Sequence, residues 1–358
     1  MSSSRPKHVA TRLMICAPDI FAGDAVGNHC LGLARVAQRL GYSVEMYAQH
    51  FDDATPTRPL SQLFERIVAE DLLVVSYSIV DPYLDRLRSL PCRKICYFHG
   101  VTTPDLLREF EPVTADLCAA SILQFPDLKS FDLIVANSAF TASSLPREVK
   151  SSSLRVIPPV FGDMPVFRAP KIQRSVRRQT RNILTVGRVV PHKRIEDAID
   201  IVAALRASGV DASLSVVGSA TNLSYVEFLV ARAAEVGLSA HFNLAGAVDN
   251  DTLVAYFHSA SALISVSAHE GFCVPILEAM YMGVPSFARD GTAGAEVCVP
   301  VARLPLDNTA AAQNIWRFLT NSDMLDKLVS EGSTRADEIL RSTGDEAWQA
   351  VFGTAIVQ

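Results

Sequence analysis

Short apolar runs recur through the first half of the chain at residues 12–17, 43–48, 72–77, 94–98, 133–136 and 154–157. They are rich in Val, Ile and Tyr and lack polar alternation, as strands covered on both faces do. Stretches of helical periodicity, such as 28–40 and 60–70, lie between them. Strands alternating with helices predict a parallel sheet flanked by helices on both faces. Pro158-Pro159 closes this half, and residues 166–181, with Pro170, Lys171, Arg174, Arg177, Arg178 and Arg181, predict a linker. The rhythm then restarts, with strands predicted at 182–186, 213–217, 242–245, 262–266 and 284–288 and helices over 322–357. The fold class is therefore α/β, with two doubly wound Rossmann-like domains, one over 1–165 and one over 182–340, followed by a helical segment at 341–358. Ligands of such sheets bind beyond the carboxyl ends of the strands, and two units facing each other form an interdomain cleft.

Composition narrows the function classes. A chain of 358 residues, 49% hydrophobic and 20% charged, can core two domains of about 150–200 residues each. A formal charge of −5 gives no general attraction to nucleic acid. The seven cysteines, at 16, 30, 92, 96, 118, 273 and 298, form no Cys-x-x-Cys pair. They fit reduced thiols in a cytoplasm better than a disulfide framework or a zinc site. No run of 18 apolar residues predicts a transmembrane helix, and the apolar run after Arg5, Lys7, His8 and Arg12 is too short for a signal peptide. The basic linker is read as a solvated segment. Peripheral contact at the inner face of a membrane stays open, as does the oligomeric state.

Chemistry concentrates in the second half. Glu270 and Glu278 stand eight residues apart around Gly271 and Pro275. Proline is favoured at a helix start, so a helix over 275–282, ended by Gly283, places Glu270 in the preceding loop and Glu278 in the first turn. The free N–H groups at such a start favour an anion such as a phosphate. Gly187, just past the strand at 182–186, lets the chain approach a ligand closely. Arg188 and Lys193 follow, cations suited to a diphosphate. Taken singly, these residues also read as surface cations, a helix-dipole carboxylate and a solvated loop glutamate. Gly218 ends the strand at 213–217, and Gly246, beside Ala247 and Val248, ends the strand at 242–245. In the first half, Gly23 and Gly27 flank Asp24 in a loop that opens a helix, with Asn28 as its N-cap. This is not the dinucleotide Gly-x-Gly-x-x-Gly, which weakens a dehydrogenase reading. His99 closes one strand, and Asn137-Ser138 follows another, where Ser138 reads equally as a helix cap. No Asp-x-Asp is present to hold a divalent ion under a diphosphate.

Val186-Gly187-Arg188, Pro191-His192-Lys193-Arg194 and Glu270-Gly271-Phe272 through Glu278-Ala279-Met280 together resemble the retaining GT-B glycosyltransferases of glycosyltransferase family 4, whose mark is Glu-x7-Glu. The likeness is strong over about 182–300 and weaker over the rest. It implies a GT-B fold and transfer of a hexose, with retention, from a nucleotide-diphosphate sugar to a hydroxyl of a glycan or glycolipid intermediate. No cofactor or metal is implied. Arg188 and Lys193 would bind the diphosphate, Glu278 the ribose, and Glu270 and His99 the transferred sugar. Backbone N–H groups of Gly271, Phe272, Cys273 and Val274 would face the donor, with Cys273 in place of the commoner glycine. Gly23, Gly27, Gly187 and Gly218 would border the donor, and Asp24, Asn137 and Ser138 the acceptor. The segment near Trp348 would cross back to brace the first domain. His269 is similar to the residue found in some mannosyltransferases, pointing to GDP-mannose, with UDP-sugars open. A nucleotide-sugar epimerase of the same fold and a non-catalytic sugar-nucleotide-binding scaffold are the competing readings.

Overall fold

The computed structural model describes residues 12–53, 55–150, 153–161, 164–171 and 181–354. The first sheet is built from β1 (Arg12–Ile20), β2 (Ser43–Phe51), β3 (Thr57–Pro59), β4 (Leu72–Tyr77), β5 (Arg93–Phe98), β6 (Leu133–Ala136) and β7 (Leu154–Val156). All pairings are parallel, in the order β3-β2-β1-β4-β5-β6-β7. Every residue of β4 and β6 is buried, which explains their unbroken apolar sequence. The second sheet holds β8 (Arg181–Val186), β9 (Ala212–Val217), β10 (Phe242–Gly246), β11 (Ala262–Ser265), β12 (Ser286–Arg289) and β13 (Arg303–Leu304), ordered β10-β9-β8-β11-β12-β13 and again parallel. The two doubly wound units are therefore present. β3 and β13 are additions to the predicted strands. Both are edge strands of two or three residues, too short to carry a pattern, and β3 contains Pro59, which an edge tolerates.

In each sheet chain order reverses at one place, between β1 and β4 and between β8 and β11. Loops leaving neighbouring strands at such a point diverge to opposite faces and open a crevice at their carboxyl ends. The loop after β1 carries Gly23 and Asp24. The loops after β8 and β11 carry Arg188, Lys193 and Glu270. Topology alone thus gathers the motif residues.

Two helix boundaries differ from expectation. The first helix runs Ala25–Arg39, three residues earlier than the predicted 28, because Asp24 is its N-cap and accepts from the Gly27 N–H at 2.7 Å. Asn28 lies inside the helix and turns back to accept from the Gly23 N–H at 3.2 Å. The second runs Leu60–Arg66 and stops where Ile67 becomes extended.

Chain crossings between the domains are short. Val160 packs in the first core and Phe161, Val166 and Phe167 in the second. Lys171 lies over the Tyr281 ring at 4.7 Å. Of the expected linker, residues 172–180, with Arg174, Arg177 and Arg178, lie outside the described residues. At the far end, helix Ser322–Ser342 packs on helix Val274–Met282 of the second domain. Helix Asp345–Thr354 then returns to the first, where Trp348, Val351 and Phe352 are fully buried and Asp345 pairs with Arg39 at 2.7 Å. Among the described residues no helix is long and apolar enough to cross a membrane. All seven cysteines are free and buried.

Trp348 stands within ring contact of His29, Tyr97 and Phe352. Truncating a buried aromatic removes its apolar burial and leaves a cavity. Trp348→Ala is expected to destabilise the first domain by about 3–5 kcal/mol in denaturant unfolding; a loss below about 1 kcal/mol would show that the last helix does not support this core.

Candidate active site

Three strand ends are stitched together on the second-domain wall of the crevice. The Gly187 N–H donates to Val217 O at 2.9 Å and the Gly218 N–H to Gly246 O at 2.8 Å. Gly218 has φ 151, and a Cβ there would stand 2.0 Å from Gly187 O, so no other residue fits where these turns cross. The loop after β8 then presents Arg188, which is exposed and has no ion-pair partner among the described residues. A one-turn 3-10 helix, Pro191–Lys193, aims Lys193 inward. Arg194 closes this turn in a left-handed conformation, φ 53, held by Glu196 at 3.0 Å and Asp197 at 3.1 Å. His192 is buried, and burial with the nearby cations Lys193 and Arg188 pushes its pKa down to about 2, so the ring is neutral. Its carbonyl accepts from the Ala268 N–H at 2.8 Å, joining the loop after β8 to the loop after β11.

That second loop carries the carboxylates. The helix it enters runs Val274–Met282, with proline in its first turn and Gly283 at φ 77 as the left-handed cap. Cys273 precedes it at φ 73, a left-handed conformation that glycine adopts without strain. Lys193 Nζ donates to Glu270 Oε1 at 2.7 Å, and Ser267 Oγ donates to the same oxygen at 2.7 Å. Glu278 is 3% exposed and has no hydrogen-bond partner among the described residues; burial raises its pKa to about 7. A buried carboxyl without a partner is unfavourable, and a ligand hydroxyl would relieve it. The side chains of Phe272 and Cys273 are buried, Phe272 against Phe161 at 5.4 Å. A small pocket, open to solvent, is lined by Gly187, Arg188, Lys193, Ser265, Ser267 and Pro275 among others.

The first domain supplies the facing wall. Gly23 has φ 94, and a Cβ on Gly27 would stand 1.9 Å from Phe21 O, so both glycines are needed for the loop to fold on itself. Asp24 is held as the N-cap, its pKa raised by burial and opposed by its own hydrogen bonds and by Arg188 across the crevice. His99, at the end of β5, is buried and bonded through Nε2 to Ser76 Oγ at 2.7 Å; burial lowers its pKa to about 3, so it is a neutral imidazole. Asn137 and Ser138, the suggested acceptor residues, are buried and spoken for. Asn137 donates to His99 O at 3.0 Å and accepts from Thr141 Oγ1 at 2.7 Å. Ser138 caps helix Ala139–Ser144 in a capping box and donates to Gly271 O at 2.7 Å across the domain boundary.

Other contacts span the same boundary. The Ala139 N–H donates to Glu296 Oε2 at 2.9 Å, and Thr102 Oγ1 lies 3.3 Å from His269 Nδ1. Asn222 donates to Phe110 O at 3.0 Å beside the Phe110–Tyr225 ring contact at 5.2 Å. His269 is thus engaged with the first domain. Thr102, Glu296, Ser76, Ser265 and Ser267 escaped sequence reasoning, since lone hydroxyls and a helix glutamate carry no pattern. The one available signal is the Ser265-Val266-Ser267 alternation at the end of β11, which puts both hydroxyls on one face.

Residues 169–335, just under half of the chain, match the protein family described as Glycosyl transferases group 1. No curated protein matches the chain in sequence. Among solved structures, sucrose-phosphate synthase from Thermosynechococcus elongatus is 17% identical with a TM-score of 0.69, covering 96% of this chain and 98% of that one. WaaG, a glycosyltransferase involved in lipopolysaccharide biosynthesis, is 16% identical with a TM-score of 0.69, covering 95% and 100%. Alr3699/HepE from Anabaena, in complex with UDP and glucose, is 16% identical with a TM-score of 0.69, covering 96% and 100%. The chain has the GT-B fold and carries a Glycosyl transferases group 1 domain within it.

A Cβ on Gly271 would stand 2.4 Å from His99 O and 2.8 Å from Asn137 Nδ2. Gly271→Ala is therefore expected to hold the domains apart, seen as a larger radius of gyration in small-angle scattering; an unchanged scattering curve would show that this approach does not set the interdomain distance. Glu278 gives a pH signature. Its folded pKa of about 7 lies above the ordinary value of 4.5, so the folded state holds a proton that the unfolded state has lost between these values, and stability from this group falls as pH rises through that window. Glu278→Gln is expected to be more stable than the parent at pH 8, with the gap in melting temperature narrowing towards pH 5. A gap independent of pH would contradict the burial of an ionisable carboxyl here.

Proposed function

We propose that this protein is a retaining hexosyltransferase that moves a sugar from a nucleotide-diphosphate donor to a hydroxyl of a glycan or glycolipid intermediate. The observation that carries the reading is the meeting of Lys193 and Glu270 at 2.7 Å, at the switch point of the second sheet and directly behind the loop that touches the first domain. Exposed Arg188 receives the diphosphate first. Lys193 joins it, and the two cations stabilise the negative charge that grows on the leaving group. Glu278, buried and without a partner, accepts the ribose hydroxyls. Glu270 takes a hydroxyl of the transferred sugar, as a grip and not as an acid or base. The neutral ring of His99 faces the sugar from the first domain. A departing phosphate oxygen takes the acceptor's proton on the same face of the sugar, which accounts for retention without a side-chain base. Closure by the Gly271 loop excludes water and so favours transfer over hydrolysis.

His269, the residue that pointed to GDP-mannose, is engaged with Thr102 and gives no ground for preferring a mannosyl donor. HepE was captured with UDP and glucose, which supports UDP-hexoses as the first donors to test. A thermal-shift panel of UDP, GDP and ADP, followed by assay of the corresponding sugars with and without EDTA, is the direct experiment. Nucleotide release that depends on an added acceptor supports the proposal, and conversion of the donor to its epimer sinks it. Glu278→Ala is expected to weaken nucleotide binding by about tenfold or more, consistent with loss of hydrogen bonds to a carboxylate. Glu270→Ala is expected to lower kcat with nucleotide affinity little changed. Equal nucleotide affinity in Glu278→Ala and the parent would remove the ribose role.

A further inference from the structure

Behind Glu270 runs a chain of buried polar side chains. Ser267 Oγ donates to Glu270 Oε1 at 2.7 Å, Ser265 Oγ lies 3.3 Å from Ser267 Oγ, and Cys273 Sγ donates to Ser265 Oγ at 3.3 Å. All four residues are 9% exposed or less. The directions follow from the far end. Glu270, paired with Lys193, is a carboxylate and only accepts, so the Ser267 proton points to it. Ser267 then accepts from Ser265, and Ser265 accepts from the Cys273 thiol. Each donor polarises the next, so the chain strengthens its last bond.

Two of its features are otherwise unexplained. Cys273 holds a left-handed conformation that glycine adopts without strain, and only a side chain with a donor can make the bond to Ser265. Lys193 and Ser267 also share one oxygen of Glu270, while Oε2 has no partner among the described residues. When a diphosphate draws Lys193 away, the carboxylate keeps a single anchor. On the glycosyltransferase reading of this site, we propose that Ser267, backed by Ser265 and Cys273, is the positioning residue that holds Glu270 against the sugar once Lys193 has moved to the diphosphate. Oε2 then meets the sugar hydroxyl.

The test compares each nucleotide with its sugar conjugate on the full chain, using whichever pair, UDP with UDP-glucose or GDP with GDP-mannose, stabilises the parent more. Calorimetry and initial rates are measured for Ser267→Ala, Ser267→Thr, Cys273→Ala, Cys273→Ser and Glu270→Ala. Ser267→Ala is expected to bind the free nucleotide within about twofold of the parent while kcat falls about tenfold, the size expected for a hydrogen bond to a charged group. Ser267→Thr and Cys273→Ser, which keep a donor, are expected to retain more activity than the alanine variants. Equal loss of affinity for nucleotide and sugar nucleotide in Ser267→Ala would mean a collapsed loop and overturn the positioning role. Parent-like kcat in Ser267→Ala beside an impaired Glu270→Ala would overturn it too, leaving the glycosyltransferase reading intact. Parent-like kcat in Glu270→Ala would overturn that reading, and the proposal with it.

Discussion

A lysine and a glutamate held together out of reach of most solvent make a demanding centre for a binding site. Taking both ions from water is unfavourable, and their attraction offsets this only with good geometry and further hydrogen bonds. Around Lys193 and Glu270 the surrounding structure supplies both. β8 and β11 are neighbours, so the loops that leave them begin side by side. The His192 carbonyl and Ala268 N–H tie those loops together, and Ser267 satisfies the carboxylate from behind. The crossing of Gly187 and Gly218 fixes where the first loop departs. Glu270 keeps the Ser267 hydroxyl as a second partner beside Lys193.

The same loop serves the boundary between domains. Gly271 approaches His99 and Asn137 so closely that no side chain fits, and its carbonyl receives the Ser138 hydroxyl. The residue next to Glu270 is therefore also the one that packs against the first domain. Asn137, Ser138 and His99 are held by one another as much as by the second domain, so the first domain offers a preformed socket.

Much of this was legible in the sequence because it depends on local chemistry. Buried parallel strands need continuous apolar runs, and proline and glycine mark the helix Val274–Met282 at both ends. Glu270 lies in the loop before that helix as expected, but the helix begins at Val274, so Glu278 falls beyond its first turn instead of within it. What escaped depends on partners distant in sequence. Ser138 is a helix cap, as its local sequence allows, but its bond to Gly271 spans 133 residues. Asn28 lost the capping position to Asp24, since both residue types cap well and only the geometry of the preceding loop decides between them. Ser267 carries no charge signal and only a brief alternation with Ser265, and its importance comes from the carboxylate in front of it.

The last helix has a mechanical consequence. The chain passes from first domain to second between Val160 and Phe161 and comes back just before Asp345. His29 accepts from the Val160 N–H at 3.1 Å and lies 5.9 Å from the Trp348 ring, so both passages are fastened to one imidazole. Arg155 adds a bond from the end of the first sheet to Ala350 O at 3.2 Å. Two fastened crossings act like a pair of door hinges. Any swing of one domain on the other about this line would carry the Gly271 loop away from or onto His99 and Asn137.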